Sequence, residues 1–421
     1  MSKTFRDWDV EQGWLLPPSV LDFVPLDHLS HFVRDTVRES LDLSAITDSY
    51  SEERGYPPYH PTMMTALLLY SYCQGIYSSR RMAKGCVERL DFMAVTGLNQ
   101  PDFRTISDFR KRHLQALSGL FVQVLKLCRQ AGLVKLGHVA LDGTKVKANA
   151  SKHKSMSYER LNKKEAELRR EVASWFEKAD AVDRAEDRDE ATNGPAGMPE
   201  WVANKQARLE RIREAKAALE AEAIAKGEVQ PKPKAQYNFT DPESEIMKGA
   251  DGFVQAYNAQ AIVDADSQVI VAQDLSDRPT DVMLLGDLVG QIKTNTGRQA
   301  MELSADAGYC SEGNLAILAK RKVRAYVATG KKRHGRARIE GRGQQPRTQA
   351  MRRRLARGGH RSRYRLRKQT VEPVFGQIKQ ARGFRQFLLR GLEKTRGEWS
   401  LICMVHNLLK LAAGLKLAKA A

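Results

Sequence analysis

Paired cysteines, long apolar runs and histidine clusters are all missing from this chain of 421 residues. The five cysteines, Cys73, Cys86, Cys128, Cys310 and Cys403, are scattered with no C-x-x-C pair. That pattern argues against disulfides and against a structural zinc site. No run of roughly eighteen or more apolar residues exists, so no membrane span or membrane partner is expected. The opening Met1-Ser2-Lys3-Thr4-Phe5-Arg6-Asp7 lacks the apolar stretch of a signal peptide, and a cytoplasmic protein is expected. The nine histidines form no H-x-x-x-H or H-x-E pattern, so oxygen ligands are expected to hold any metal.

Positive charge is what the chain has in excess. Lys and Arg number 69 against 50 acids, a formal net charge of +19. Such a balance favours polyanionic partners, nucleic acid before anionic membrane. It is also uneven: residues 331–368 hold sixteen Lys/Arg and one acid, Glu340, a net +15. A charge run is most often a solvated loop. This one leads into a helix with an acid on it, and basic side chains beside a reactive carboxylate suit phosphate binding. At 42% apolar content the length supports about two to four domains.

Residues 1 to about 130 read as helical. Thr62 is expected to cap a buried helix over 63–72, a second helix follows over 79–90, and a third over 105–117 carries Arg110 and Arg112. Short helices with basic residues on the last suggest a helix-turn-helix-like DNA reader, against a plain bundle with exposed arginines. Residues 137–148 read as a strand with Asp142 at its middle, where Asp is disfavoured by propensity. Segments 158–179 and 201–226, around the breaker cluster at 193–199, read as a helical hairpin with Leu161, Leu168, Val172 and Phe176 facing Leu209, Ile212, Ala215 and Leu219. Strands follow at 252–264 and 268–275, then a helix capped by Thr280, a strand ending at Asp306, a helix capped by Ser311, and a strand at 323–328. Helices at 369–381, with Glu372, and at 398–415 complete the chain. Strands that mix hairpins and helical crossovers, flanked by helices, define an α/β mixed sheet.

Three segments carry a resemblance. Leu141-Asp142-Gly143-Thr144, Ser304-Ala305-Asp306-Ala307-Gly308-Tyr309 and Val371-Glu372-Pro373-Val374-Phe375-Gly376-Gln377-Ile378-Lys379 resemble the first-Asp, second-Asp and Glu-helix motifs of bacterial insertion-sequence transposases of the DDE class. Segments Asn238-Phe239-Thr240-Asp241-Pro242 and Ala256-Tyr257-Asn258-Ala259-Gln260 are also similar to that group. The family's Glu helix commonly has Tyr, two residues, Arg, three residues, then Glu. Here position 368 is Lys, position 365 is Arg, and Tyr364 stands one place early.

The resemblance implies an RNase H-like core at 135–150 and 236–415, a helical N-terminal DNA-binding domain at 1–130, an inserted hairpin at 151–235 and a basic loop at 331–368. It implies that Asp142, Asp306 and Glu372 are catalytic and hold two Mg²⁺ ions, with Mn²⁺ as a substitute. Lys379 would contact phosphate near the scissile bond. Lys368, Arg367, Arg365, Arg363 and Arg361 would hold the element end, with Arg110 and Arg112 as further DNA contacts. The implied partners are double-stranded DNA, as terminal inverted repeats and target, and a second copy of the chain. Association with the bacterial nucleoid is expected when DNA is bound.

Overall fold

The computed structural model describes residues 19–50, 58–186, 200–225, 227–249, 252–330 and 345–420. Its first part is helical: α1 (Leu29–Glu39), α2 (Ser44–Thr47), α3 (Pro61–Cys73), α4 (Ser79–Glu88), α5 (Leu90–Thr96), α6 (Phe103–Arg112) and α7 (Leu114–Gln130). Helix α3 is apolar all round, and Met64 to Cys73 are buried without a break. Such a helix belongs at the centre of a bundle rather than on its surface. It starts earlier than Thr62, because Pro61 occupies the first turn and the His60 ring accepts the Thr62 N–H at 3.2 Å. The expected third helix is two helices. Asp102 caps α6 by accepting the Arg104 and Thr105 N–H groups, and the chain breaks at His113.

Strands β1 (His138–Lys147), β2 (Ser155–Ser157), β3 (Gln236–Asn238), β4 (Glu245–Gly249), β5 (Gly252–Asp264), β6 (Ile270–Ser276), β7 (Glu302–Ala305) and β8 (Arg324–Val327) follow. Six of them form one mixed sheet in the order β4-β5-β1-β7-β8, with β6 also on β5. The long β5 serves both outer neighbours, β4 along 252–256 and β6 along 258–263. Pairings of β5 are antiparallel, whereas β1–β7 and β7–β8 are parallel. Residues 255–264 of β5 are all buried, as expected of a strand covered on both faces.

Between β1 and β5 the chain leaves the sheet. Helices α8 (Tyr158–Glu186) and α9 (Glu200–Ala225) run antiparallel, tied by Tyr158 to Glu220, Glu165 to Lys216 and Glu171 to Lys205. Leu161, Leu168, Leu209, Ile212, Ala215 and Leu219 give this hairpin a small core of its own. Phe176, expected in that seam, is exposed and lies against Trp175 instead. The two-stranded β2–β3 ladder closes the base of the hairpin.

The remaining helices are α10 (Leu285–Thr296), α11 (Glu312–Lys320), α12 (Pro346–Gly358), α13 (Leu366–Gly376) and α14 (Leu392–Ala420). Helix α10 begins after Leu284, not at Thr280. The intervening turn carries Asp281 back toward the sheet, where its side chain is engaged. Ser311 caps α11 by accepting the Asn314 N–H. Of the basic segment, 331–344 lies outside the described residues. The rest is helical rather than loop, because Pro346 opens α12 and Glu312 accepts the Arg347 and Thr348 N–H groups. Buried side chains run continuously from the N-terminal helices through the sheet to α14. Helix α14 approaches α7 closely: a Cβ at Gly397 would lie 2.8 Å from Leu114.

Candidate active site

Register places the first two acids side by side. Leu141 of β1 pairs with Ala305 of β7 in parallel, so Asp306, one residue beyond β7, comes up beside Asp142. Asp306 caps the short 3₁₀ turn Ala307–Tyr309, accepting the Gly308 N–H at 2.8 Å. Helix α13 packs over β1 and β5 and brings Glu372 to the same place, its side chain half exposed.

One guanidinium lies between two of these acids. Arg367 donates through one terminal nitrogen to Asp142 and stands 3.3 Å from Glu372 with the other. The Arg367 side chain is only 13% exposed, so this contact is screened little by water. Burial raises the Asp142 carboxyl to about 6, against the pull of Arg367 and its own Gly143 N–H, with Asp306 and Glu372 adding to the rise. Among the described residues, no three His, Cys, Asp or Glu side chains stand close enough to hold one ion. Asp142, Asp306 and Glu372 supply the hard oxygen donors that a Mg²⁺ ion prefers. In this structure a guanidinium stands between two of them, Asp142 and Glu372.

Lys379 does not reach outward. It sits in the π-helical turn Gln377–Ala381 that continues α13 and donates to Thr144 Oγ1 at 2.6 Å and the Lys145 carbonyl at 2.7 Å. Burial, with Arg385 and Lys145 nearby, pushes its amine down to about 8. In this position it fastens the Glu372 helix to the strand of Asp142.

Asp142 and Thr144 point to the α13 side of β1, and Gly143 and Lys145 to the other. There β5 presents two fully buried amides, Asn258 and Gln260. Both donate to Asp281 Oδ1, at 2.6 and 2.9 Å, and Lys145 Nζ lies 3.7 Å from the same oxygen. The buried Tyr309 hydroxyl donates to Gln260 Oε1. A Cβ at Gly143 would collide with the Gln260 amide, so a side chain here must displace that buried, bonded group. Asn258 and Gln260 stood out in the sequence as polar residues spaced by two on a core strand, whereas Asp281, Lys145 and Tyr309 reach them only through the fold.

The basic residues divide. Lys368, Arg365 and Arg361 are exposed, and Arg363 pairs with Glu302 at 2.5 Å. Arg367 is drawn into the acids, the position that the spacing had put one residue later, at Lys368. Arg112 is exposed, lying 5.8 Å from the Tyr50 ring. Arg110 is buried and donates to the Tyr77 carbonyl and Tyr72 hydroxyl, which leaves it no face for a phosphate. A cleft between α4 and α6 instead exposes Arg80, Arg104 and Lys111 around Phe103.

Two family models match the chain. One, a Transposase domain (DUF772), covers residues 18–112; the other, a Transposase DDE domain, covers residues 325–412. The chain is a transposase of the DDE class. Glu372 and Lys379 fall within the second match, whereas Asp142 and Asp306 lie between the two. Enzymes of this class cleave and join DNA and generally use divalent metal ions. No match was found among curated proteins or among solved structures. No helix among the described residues is long and apolar enough to cross a membrane.

Proposed function

We propose that the chain binds the ends of an insertion sequence, cuts them by hydrolysis and joins the freed 3′ ends to target DNA. The observation that carries this reading is that two neighbouring strands and one helix bring Asp306 and Glu372 within electrostatic reach of Asp142. The strand order supports an RNase H-like core: β5 antiparallel to β1, β6 antiparallel to β5 in turn, then β7 and β8 parallel to β1.

In the first step water oxygen forms a new bond to phosphorus and the P–O3′ bond breaks, leaving a 3′-OH. In the second step that 3′-OH oxygen attacks a target phosphodiester and expels the target's 3′ oxygen. Asp142, Asp306 and Glu372 would hold two Mg²⁺ ions, which when bound stabilise the attacking and leaving oxygens. Lys379 holds the Glu372 helix in place against Thr144. Arg361, Arg365 and Lys368 are exposed on the segment that leads into the Glu372 helix and are suited to phosphates of the element end. Arg80, Arg104 and Lys111 supply a second basic surface, on the N-terminal helices. Two ends must be held at once, so a dimer or larger assembly on DNA is part of this reading.

Asp142→Asn tests it. Mg²⁺-dependent cleavage of duplexes carrying the element's terminal repeats should vanish while gel-shift binding persists. Cleavage at the wild-type rate would remove the site assignment. Cut but never joined products from the wild type would reduce the protein to a nuclease.

A further inference from the structure

Arg367 holds two of the three acids that a metal would need, Asp142 and Glu372, and it holds them with both terminal nitrogens. Two carboxylates near each other in a partly buried site require a counter-charge. Here the chain provides its own. The guanidinium is not well satisfied there, since its buried Nε has no partner. A phosphate offers a better match, because the guanidinium fork can meet two phosphate oxygens at once. Arg367 lies in the first turn of α13, directly after the 3₁₀ turn Arg363–Arg365 and beside the exposed Lys368. Phosphate drawn to those residues arrives one residue along the helix from Arg367, where a turn of its long side chain would bring the guanidinium to it.

We propose that Arg367 is an internal cation that occupies the acid site in the DNA-free protein, and that DNA phosphate opens the site to divalent ions by drawing the guanidinium away. Ion loading then follows DNA binding. The inference rests on the proposed function. An ion that needs a site free of Arg367 binds with its affinity reduced by the fraction of time the site is free. Removing the guanidinium therefore tightens ion binding, most in the absence of DNA.

The experiment counts bound Mn²⁺ on the full-length, DNA-free protein at pH 8, from the free-ion signal in electron paramagnetic resonance. Arg367→Ala should bind Mn²⁺ about tenfold or more tightly than wild type. Adding a short duplex should tighten Mn²⁺ binding to wild type and do much less for the variant. Asp142→Asn placed on top of Arg367→Ala should erase the gain. Equal or weaker Mn²⁺ binding by Arg367→Ala overturns the inference. If that variant does not fold by circular dichroism, Arg367→Gln keeps the volume and carries the same expectation. Loss of cleavage in Asp142→Asn alongside unchanged Mn²⁺ affinity in Arg367→Ala sinks the internal cation alone. Retained cleavage in Asp142→Asn sinks the site itself.

Discussion

On the α13 side of β1, Asp142 and Thr144 meet charged groups that compete for partners; on the other side, Gly143 and Lys145 meet a network in which the polar atoms are bonded. Asp142 keeps a raised carboxyl despite an arginine on it, and that arginine has an idle Nε. Asn258, Gln260, Tyr309 and Asp281 leave no orphaned buried atom among the described residues. The difference teaches where rigidity and reactivity are placed. A satisfied buried network specifies one arrangement, while a strained charge balance is ready to accept a new ligand. The second acid joins the two sides, since Asp306 caps the turn whose Tyr309 anchors the network.

Single substitutions can break this contrast. The largest effect expected is the loss of cleavage in Asp142→Asn, roughly a thousandfold or more. The same variant should melt no lower than wild type at pH 8. Its folded carboxyl titrates above the unfolded value of 3.8, so the stability it contributes is full below 3.8 and lost as pH rises through about 6. A neutral Asn escapes that loss, and thermal melts from pH 4 to 8 would show a flatter profile. One position along, Gly143→Ala should do the reverse and cost about 3 kcal/mol in urea unfolding, because the Gln260 amide must move. A Gly143→Ala protein as stable as wild type would refute the close packing of that side.

Tyr309→Phe should cost about 2 kcal/mol by leaving the Gln260 carbonyl unpaired. Its cleavage rate should fall while DNA affinity holds, because the turn that orients Asp306 loosens. The smallest effect is expected at Lys379. Its folded amine sits near 8, below the unfolded 10.5, so the protein gains stability as pH rises between those values. Lys379→Met should lack that gain, about 1 kcal/mol by denaturant midpoints at pH 8 and pH 10.

Much of this was legible because period and punctuation were strong. The β5 limits, the Ser311 cap and the hairpin each left a local signature, and an Asp in mid-strand announced itself against propensity. Three features were not legible for physical reasons. A helix start depends on where the preceding turn is held, so with Asp281 drawn to Asn258 and Gln260, Leu285 rather than Thr280 opens α10. The target of a long side chain depends on tertiary packing, so Arg367 and not Lys368 reached the acids. Burial hid Arg110, whose basic character alone suggested a surface role.

The β2–β3 ladder has one more implication. It brings the departing chain at Met156 against the returning chain at Tyr237, so α8 and α9 form an arm with a closed shoulder. Helix α8 alone, 29 residues, reaches roughly 40 Å, slightly more than one turn of duplex. Whole helical turns can be added to or cut from such an arm without shifting Asp142 by an ångström. Reach and chemistry are thereby free to vary separately within one chain.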